Sequence, residues 1–136
     1  MNDRELITQH QKTQLIKAAR EVLKKAYAPY SQFQVGAAVL TKQGNIFTGC
    51  NVENASYGLC ICAERNAIAS AVTTEGGNLE ILAIAIANNR QIPCSPCGAC
   101  RQVIQEFGRD AIVIFLAATD WQVTSINDLL PQGFSF

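Results

Sequence analysis

Six cysteines in a chain of 136 residues are the side chains best suited to chemistry. Five of them fall in two clusters, residues 60–64 (CICAE) and 94–100 (CSPCGAC). Cysteines at such short spacing, in a reducing compartment, are typical of zinc sites. The sixth, Cys50, lies in a predicted strand and is interpreted as a small packing residue.

The second cluster offers two pairs with zinc spacing, Cys94 with Cys97 and Cys97 with Cys100. Pro96 favours a helix start close by, which places Cys97 and Cys100 on one face of a first turn and leaves Cys94 in the preceding loop. Cys62 opens another predicted helix, and two helix N-termini directed at one spot favour thiolates. The predicted ligands are therefore Cys62, Cys97 and Cys100, and three ligands leave one position for water, as in catalytic zinc sites.

Two charged residues follow Cys62 closely. Glu64 is predicted to reach metal-bound water from the first helical turn and to act as general acid and base. Its simpler interpretation is an acid that interacts with the helix dipole. Arg65 is predicted to donate hydrogen bonds to the thiolate sulfurs and so tune the metal, against the alternative of an ordinary surface charge.

Hydrophobic periodicity predicts the elements that position these residues. Helices are predicted from a capping box of Thr8 and Gln11 to Pro29, over 63–72 and over 97–108. Strands are predicted over 33–40, 46–52, 79–87, 111–117 and 121–124, with a hairpin turn at 43–45 and a short helical turn capped by Ser125. This order predicts an α/β fold, a three-layer α-β-α sandwich with a mixed sheet of about five strands and helices on both faces. We expect one domain over residues 1–136.

Composition restricts the class of protein. The chain has 11 Lys or Arg and 11 Asp or Glu, so its formal charge is zero, and 49% of its residues are hydrophobic. It has no basic run to form an electrostatic footprint for nucleic acid. No apolar stretch reaches the ~20 residues that span a bilayer, and the first six residues lack the core of a secretory signal. We therefore expect a cytoplasmic protein that binds neither nucleic acid nor membranes.

Four blocks of sequence resemble the short, homotetrameric cytidine deaminases. They are 30–38 (YSQFQVGAA), 51–58 (NVENASYG), 62–65 (CAER) and 95–102 (SPCGACRQ). With 129–131 (LLP), the resemblance covers almost the whole chain. It implies hydrolytic deamination of cytidine and 2′-deoxycytidine to the uridine forms with release of ammonia, a step of pyrimidine salvage. It also implies one Zn²⁺ per subunit and active sites shared between subunits of a homotetramer.

The resemblance further assigns the contacts with the ribose. Asn51 and Glu53 would bind its 3′-hydroxyl, and Ala55 and Tyr57 would approach it from a neighbouring subunit. An acid such as Glu53 suits this role because charge-assisted hydrogen bonds hold small polar substrates well.

Aromatic side chains and backbone groups are predicted to hold the base. Phe33 would pack near the pyrimidine and Phe134 would stack on it, with Phe136 as the alternative. In the hypothetical mechanism, zinc-activated water attacks C4 while Glu64 shuttles protons. The Ala63 N–H and the Ser95 carbonyl would hold the tetrahedral intermediate.

Two other functions stay open at this point. One is a related aminohydrolase, such as a blasticidin-S-type deaminase, with the same zinc chemistry and another substrate. The other is a structural zinc module, for which Cys60 or Cys94 would supply a fourth ligand.

Overall fold

Strands rich in buried apolar residues form a five-stranded mixed sheet at the centre of the fold. The computed structural model describes residues 6–136. Residues 1–5, on which most of the expectation about a secretory signal rests, lie outside this range. The helices are α1 (Gln9–Val22), α2 (Ala63–Glu75), α3 (Gly98–Phe107) and α4 (Ile126–Leu129). The strands are β1 (Val35–Thr41), β2 (Ile46–Cys50), β3 (Ile81–Asn88), β4 (Ile112–Leu116) and β5 (Trp121–Ser125).

The strands lie in the order β2-β1-β3-β4-β5. Only β3 and β4 pair in parallel, and the other three pairs are antiparallel. The central strand β3 is buried on both faces, as its continuous apolar run predicts. Its isoleucines, such as Ile84, pack with α2 and α3, whereas its alanines, such as Ala85, pack with α1. The predicted three-layer sandwich is confirmed.

Small residues allow α2 to lie close to the sheet. Its face towards the core carries Ala63, Ala67 and Ala71, all fully buried. A Cβ atom at Gly49 of β2 would come within 2.3 Å of the Ala67 nitrogen. Glycine at position 49 therefore sets how closely α2 approaches β2, and so where the N-terminus of α2 lies.

Helix α1 begins as predicted and ends earlier. The capping box of Thr8 and Gln11 is present, but the α-helix ends at Val22 and a single 3₁₀ turn follows. The chain then becomes extended, because the Tyr27 N–H donates to the Asn51 carbonyl at 3.0 Å. This contact with a distant segment ends the helix several residues before Pro29.

Several other boundaries move by one to three residues. β1 and β3 each begin two residues later than predicted, β2 ends at Cys50, and α2 continues to Glu75, where Gly76 with φ 86° caps it. Ser125 caps α4 by accepting a hydrogen bond from the Asn127 N–H, as predicted. None of the helices within residues 6–136 combines the length and apolar character needed to cross a membrane.

Candidate metal centre and active site

Three thiols converge where α2 and α3 begin. Cys62 and Cys97 are the N-cap residues of these helices, and Cys100 lies in the first turn of α3. The three sulfur atoms all lie within 4.8 Å of one another, and those of Cys62 and Cys97 are 3.8 Å apart. Tetrahedral zinc with Zn–S bonds of about 2.3 Å needs sulfurs about 3.8 Å apart. The donor set and its spacing therefore fit Zn²⁺.

Helix α3 begins one residue later than the sequence predicts. Pro96 precedes the N-cap, so Cys97 occupies the N-cap and Gly98 is the first helical residue. The Cys97 sulfur accepts a hydrogen bond from the Cys100 N–H at 3.5 Å. The cap thus aims the Cys97 sulfur at the helix N-terminus, where unpaired N–H groups favour negative charge.

Cys60 and Cys94 lie outside the three-thiol cluster found within residues 6–136. The Cys60 sulfur accepts a hydrogen bond from the Asn54 N–H at 3.3 Å. Burial, together with the nearby charge of Glu64, raises the pKa of the Cys94 thiol. Neither thiol joins the other three, so the arrangement has the three protein ligands of an open site rather than four.

Neighbouring groups favour the thiolate form of Cys62. A hydrogen bond from the Cys100 thiol, with a smaller contribution from a hydrogen bond of Arg65, lowers the pKa of Cys62 to about 5. The same shared proton raises the pKa of Cys100. The Arg65 Nη2 atom lies 3.5 Å from the Cys62 sulfur, which is the contact predicted from the sequence. Its Nε atom is buried and has no hydrogen-bond partner among the described residues.

The Glu64 carboxyl is buried beside the thiols. It lies in the first turn of α2 and is only 5% exposed. Burial, with a smaller contribution from the Cys62 charge, raises the pKa of Glu64 to about 7. A carboxyl with such a pKa can accept and release protons near neutral pH, as general acid–base catalysis requires.

Asn51 connects β2 to the start of β1. Its side-chain oxygen accepts from the Val35 N–H at 2.8 Å, and its amide donates to the Phe33 carbonyl at 2.9 Å. Phe33 is half-buried, and the guanidinium of Arg90 lies 5.4 Å from its ring centre. Asn51 and Phe33 are therefore direct neighbours. Sequence reasoning missed Arg90, whose contact with Phe33 joins residues far apart in the chain.

Glu53 organises the loop before β1. Its carboxylate accepts hydrogen bonds from the N–H groups of Tyr30 and Ser31, at 3.0 and 3.2 Å, and from the Ser31 hydroxyl. These hydrogen bonds, that of the Ser31 hydroxyl above all, lower the pKa of Glu53. Glu53 and Ser31 also line a cleft of about 320 Å³, together with Tyr30, Tyr57 and Cys60.

Three other predicted contact residues, Tyr57, Ala55 and Phe134, lie at the surface. Tyr57 is 75% exposed and packs edge-to-face on Tyr30, with ring centres 6.1 Å apart. Ala55 is also exposed. Phe134 is 68% exposed and packs against Phe136, with ring centres 5.2 Å apart.

Two backbone groups predicted to hold the substrate flank the thiols. Ala63 is the first residue of α2, so its N–H lies at the helix N-terminus. Ser95 precedes α3, and its hydroxyl accepts a hydrogen bond from Arg101 at 3.1 Å.

A larger cleft of about 640 Å³ lies between the start of α1 and the β4–β5 hairpin, and no cysteine lines it.

This site and fold can be compared with known families. The model of the cytidine and deoxycytidylate deaminase zinc-binding region matches residues 9–116, and the chain belongs to this family.

Within this family, the chain is similar to several proteins that are cytidine deaminases. The chain is 44% identical over 123 residues to a cytidine deaminase of Halalkalibacterium halodurans, covering 89% of this chain and 92% of that protein. It is 45% identical over 111 residues to a cytidine deaminase of Mycobacterium tuberculosis, covering 80% and 78% respectively. The crystal structure of a cytidine deaminase from Burkholderia pseudomallei matches 94% of this chain and 100% of its own, with a TM-score of 0.83 and 50% identity.

Proposed function

We propose that this chain is a zinc-dependent hydrolase that converts cytidine and 2′-deoxycytidine to uridine and 2′-deoxyuridine with release of ammonia. The observation that carries the proposal is the buried Glu64 carboxyl beside three thiols at the starts of α2 and α3. Membership of the deaminase family and 44% identity to a named cytidine deaminase support the reaction and the substrate.

Glu64 moves the protons in this proposal. Cys62, Cys97 and Cys100 would hold Zn²⁺, which would act as a Lewis acid and make water nucleophilic at neutral pH. Glu64, with its pKa near 7, accepts the proton of the attacking water and delivers it to N3 of the pyrimidine. It then transfers the second proton of that water to the exocyclic amine, so that ammonia leaves and the carbonyl of uridine forms.

Neighbouring groups hold the reacting centre. The Ala63 N–H, unpaired in the first turn of α2, donates to the oxygen developing at C4. The Ser95 carbonyl accepts a hydrogen bond from the exocyclic amine. Arg65 donates to the Cys62 thiolate and so partly offsets the negative charge of three sulfurs.

Asn51 and Glu53 are proposed to bind the ribose 3′-hydroxyl. Both already hold the loop before β1, and both retain unused capacity. An ionised carboxylate has about four lone-pair sites, of which Glu53 uses three, and a carboxamide has two N–H donors, of which Asn51 uses one. One substrate hydroxyl can therefore bind between them while the loop stays in place.

Aromatic residues are proposed to enclose the base. Phe33 packs near the pyrimidine, held from behind by Arg90. Phe134, or Phe136 beside it, stacks on the ring from the C-terminal segment.

A homotetramer is proposed as the active form, with Ala55 and Tyr57 entering the site of a neighbouring subunit. An exposed apolar surface supports this. Tyr27, Val52 and Ile61 are joined by backbone bridges, and all three are between 41% and 55% exposed. Clustered exposed apolar residues mark interaction surfaces.

We further propose that residues 1–136 form one catalytic domain that acts in the cytoplasm in pyrimidine salvage.

Mixing two inactive variants tests the shared site. If Tyr57 serves a neighbouring subunit, then Tyr57→Ala and Glu64→Ala chains form some intact sites when they are unfolded and refolded together. Activity above that of either variant alone would support sharing. A monomeric mass by light scattering at full activity would contradict it.

Substrate choice is tested by ultraviolet absorbance. Cytidine, 2′-deoxycytidine, cytosine and blasticidin S are incubated separately with protein that contains one zinc per chain. The proposal predicts conversion of the two nucleosides and far slower reaction of the others. Preferred conversion of blasticidin S, or no conversion of either nucleoside, would overturn it.

A further inference from the structure

Three side chains of α3 donate hydrogen bonds to the C-terminal segment, residues 129–136. Arg101 Nη1 donates to the Leu129 carbonyl at 2.9 Å, and Gln105 Nε2 donates to that of Leu130 at 3.1 Å. Gln102 Nε2 donates to the carbonyl of Phe134 at 2.9 Å. The helix that carries Cys100 therefore also holds the segment that carries Phe134.

Arg101 also donates hydrogen bonds to a second set of partners. Its Nε donates to the Pro96 carbonyl at 2.7 Å, and its Nη2 donates to the Ser95 hydroxyl at 3.1 Å. These two residues form the turn that leads into Cys97. All three guanidinium nitrogens are thus used, and their rigid planar arrangement fixes the turn relative to Leu129.

We propose that Arg101 is a positioning residue that couples the turn before Cys97 to the C-terminal segment. It acts through the Pro96 carbonyl on one side and the Leu129 carbonyl on the other. The proposal rests on the proposed function in taking Cys97 as a zinc ligand and Phe134 as a substrate contact. Binding of zinc at the thiols and order in residues 129–136 should then depend on each other.

Wild-type protein gives the first test. Amide hydrogen exchange is compared for metal-free protein before and after addition of one zinc per chain. The coupling predicts that zinc slows exchange severalfold in the turn and in the segment 129–134, although the segment supplies no ligand. Slowing that is confined to the turn and the starts of α2 and α3 would overturn the proposal.

Two variants distinguish the contacts of Arg101 with the turn from the contacts of α3 with the C-terminal segment. Arg101→Lys keeps the positive charge but loses the planar guanidinium that donates to three partners. Gln105→Ala removes one contact with the C-terminal segment and none with the turn. We expect Arg101→Lys to weaken zinc binding about 10- to 100-fold in chelator competition and to speed exchange in both places. Gln105→Ala should speed exchange in the C-terminal segment only.

Equal zinc affinity in Arg101→Lys and wild type would contradict the coupling, as would equal weakening by Gln105→Ala. Should Arg101→Lys fail to fold, the wild-type exchange experiment still decides. Neither readout uses nucleoside turnover. A wild-type protein inactive on cytidine would therefore refute the proposed function without deciding the role of Arg101.

Discussion

The sulfur atoms of Cys62 and Cys97 lie 3.8 Å apart although the two residues are 35 positions apart in the chain. Each is the N-cap residue of a helix, and the two helices pack on the same face of the sheet. Their separation matches that of two sulfurs on tetrahedral zinc. The packing of α2 and α3 thus assembles the metal centre, and local helix capping only orients its ligands.

Loss of any one of the three thiols should abolish stoichiometric zinc binding. Cys100→Ser leaves two strong ligands, whereas Cys60→Ser changes a thiol outside the cluster. Zinc per chain, measured by elemental analysis after dialysis, should fall well below one for Cys100→Ser and stay near one for Cys60→Ser. The reverse pattern would mean that the ligand set is wrong.

Replacement of Arg65 should weaken the site without removing a ligand. Arg65→Gln loses the charged donor to the Cys62 sulfur, and outer hydrogen-bond partners typically contribute 10- to 100-fold in metal affinity. Chelator competition should show a loss of about that size. Arg109→Gln is the matched control, since Arg109 is an exposed residue just beyond the C-terminus of α3. A similar loss in both variants would refute a specific role for Arg65.

The Glu53 carboxyl should remain ionised below its ordinary pKa of 4.5. Because the folded pKa is lowered, its stabilising contribution is present above pH 4.5 and is lost as the pH falls through the folded value. Ser31→Ala removes the largest cause and should move the titration upwards. Carbon-13 NMR of the carboxyl measures it, with Ser70→Ala as control. An unchanged titration in Ser31→Ala would exclude the Ser31 hydroxyl as the cause.

Much of this site follows from short-range patterns. Cys97 and Cys100 lie at the start of one helix, and Cys62 and Glu64 lie at the start of another. Because each pair falls within a single helical turn, sequence alone predicts that its two side chains lie close together. The buried run of β3 likewise predicts a central strand. These features depend on local geometry and on which residues are apolar.

Other features depend on contacts between distant segments. The early end of α1 arises from the hydrogen bond between Tyr27 and Asn51. The bridge from Arg101 to Leu129 joins residues 28 apart. Periodicity and motif spacing contain no information on such pairings, so neither feature could be predicted.

The close contact of α2 with β2 predicts a large effect of one added methyl group. Gly49→Ala would place a Cβ within 2.3 Å of the Ala67 nitrogen in α2. Overpacking of this kind should lower the free energy of unfolding by about 1–3 kcal/mol or more. Gly77→Ala, where nothing lies within 4 Å of the added atom, should differ little from wild type. Urea denaturation compares the two, and equal stabilities would refute the close packing.

The most direct test of the proposed mechanism is the zinc content and cytidine turnover of Glu64→Ala. Both quantities are measured on one sample of the variant and, in parallel, on one sample of wild type. If Glu64 moves protons and is not a zinc ligand, the variant should keep one zinc per chain and lose nearly all turnover. Substantial remaining activity with zinc bound would contradict the assignment of Glu64 as the catalytic acid and base.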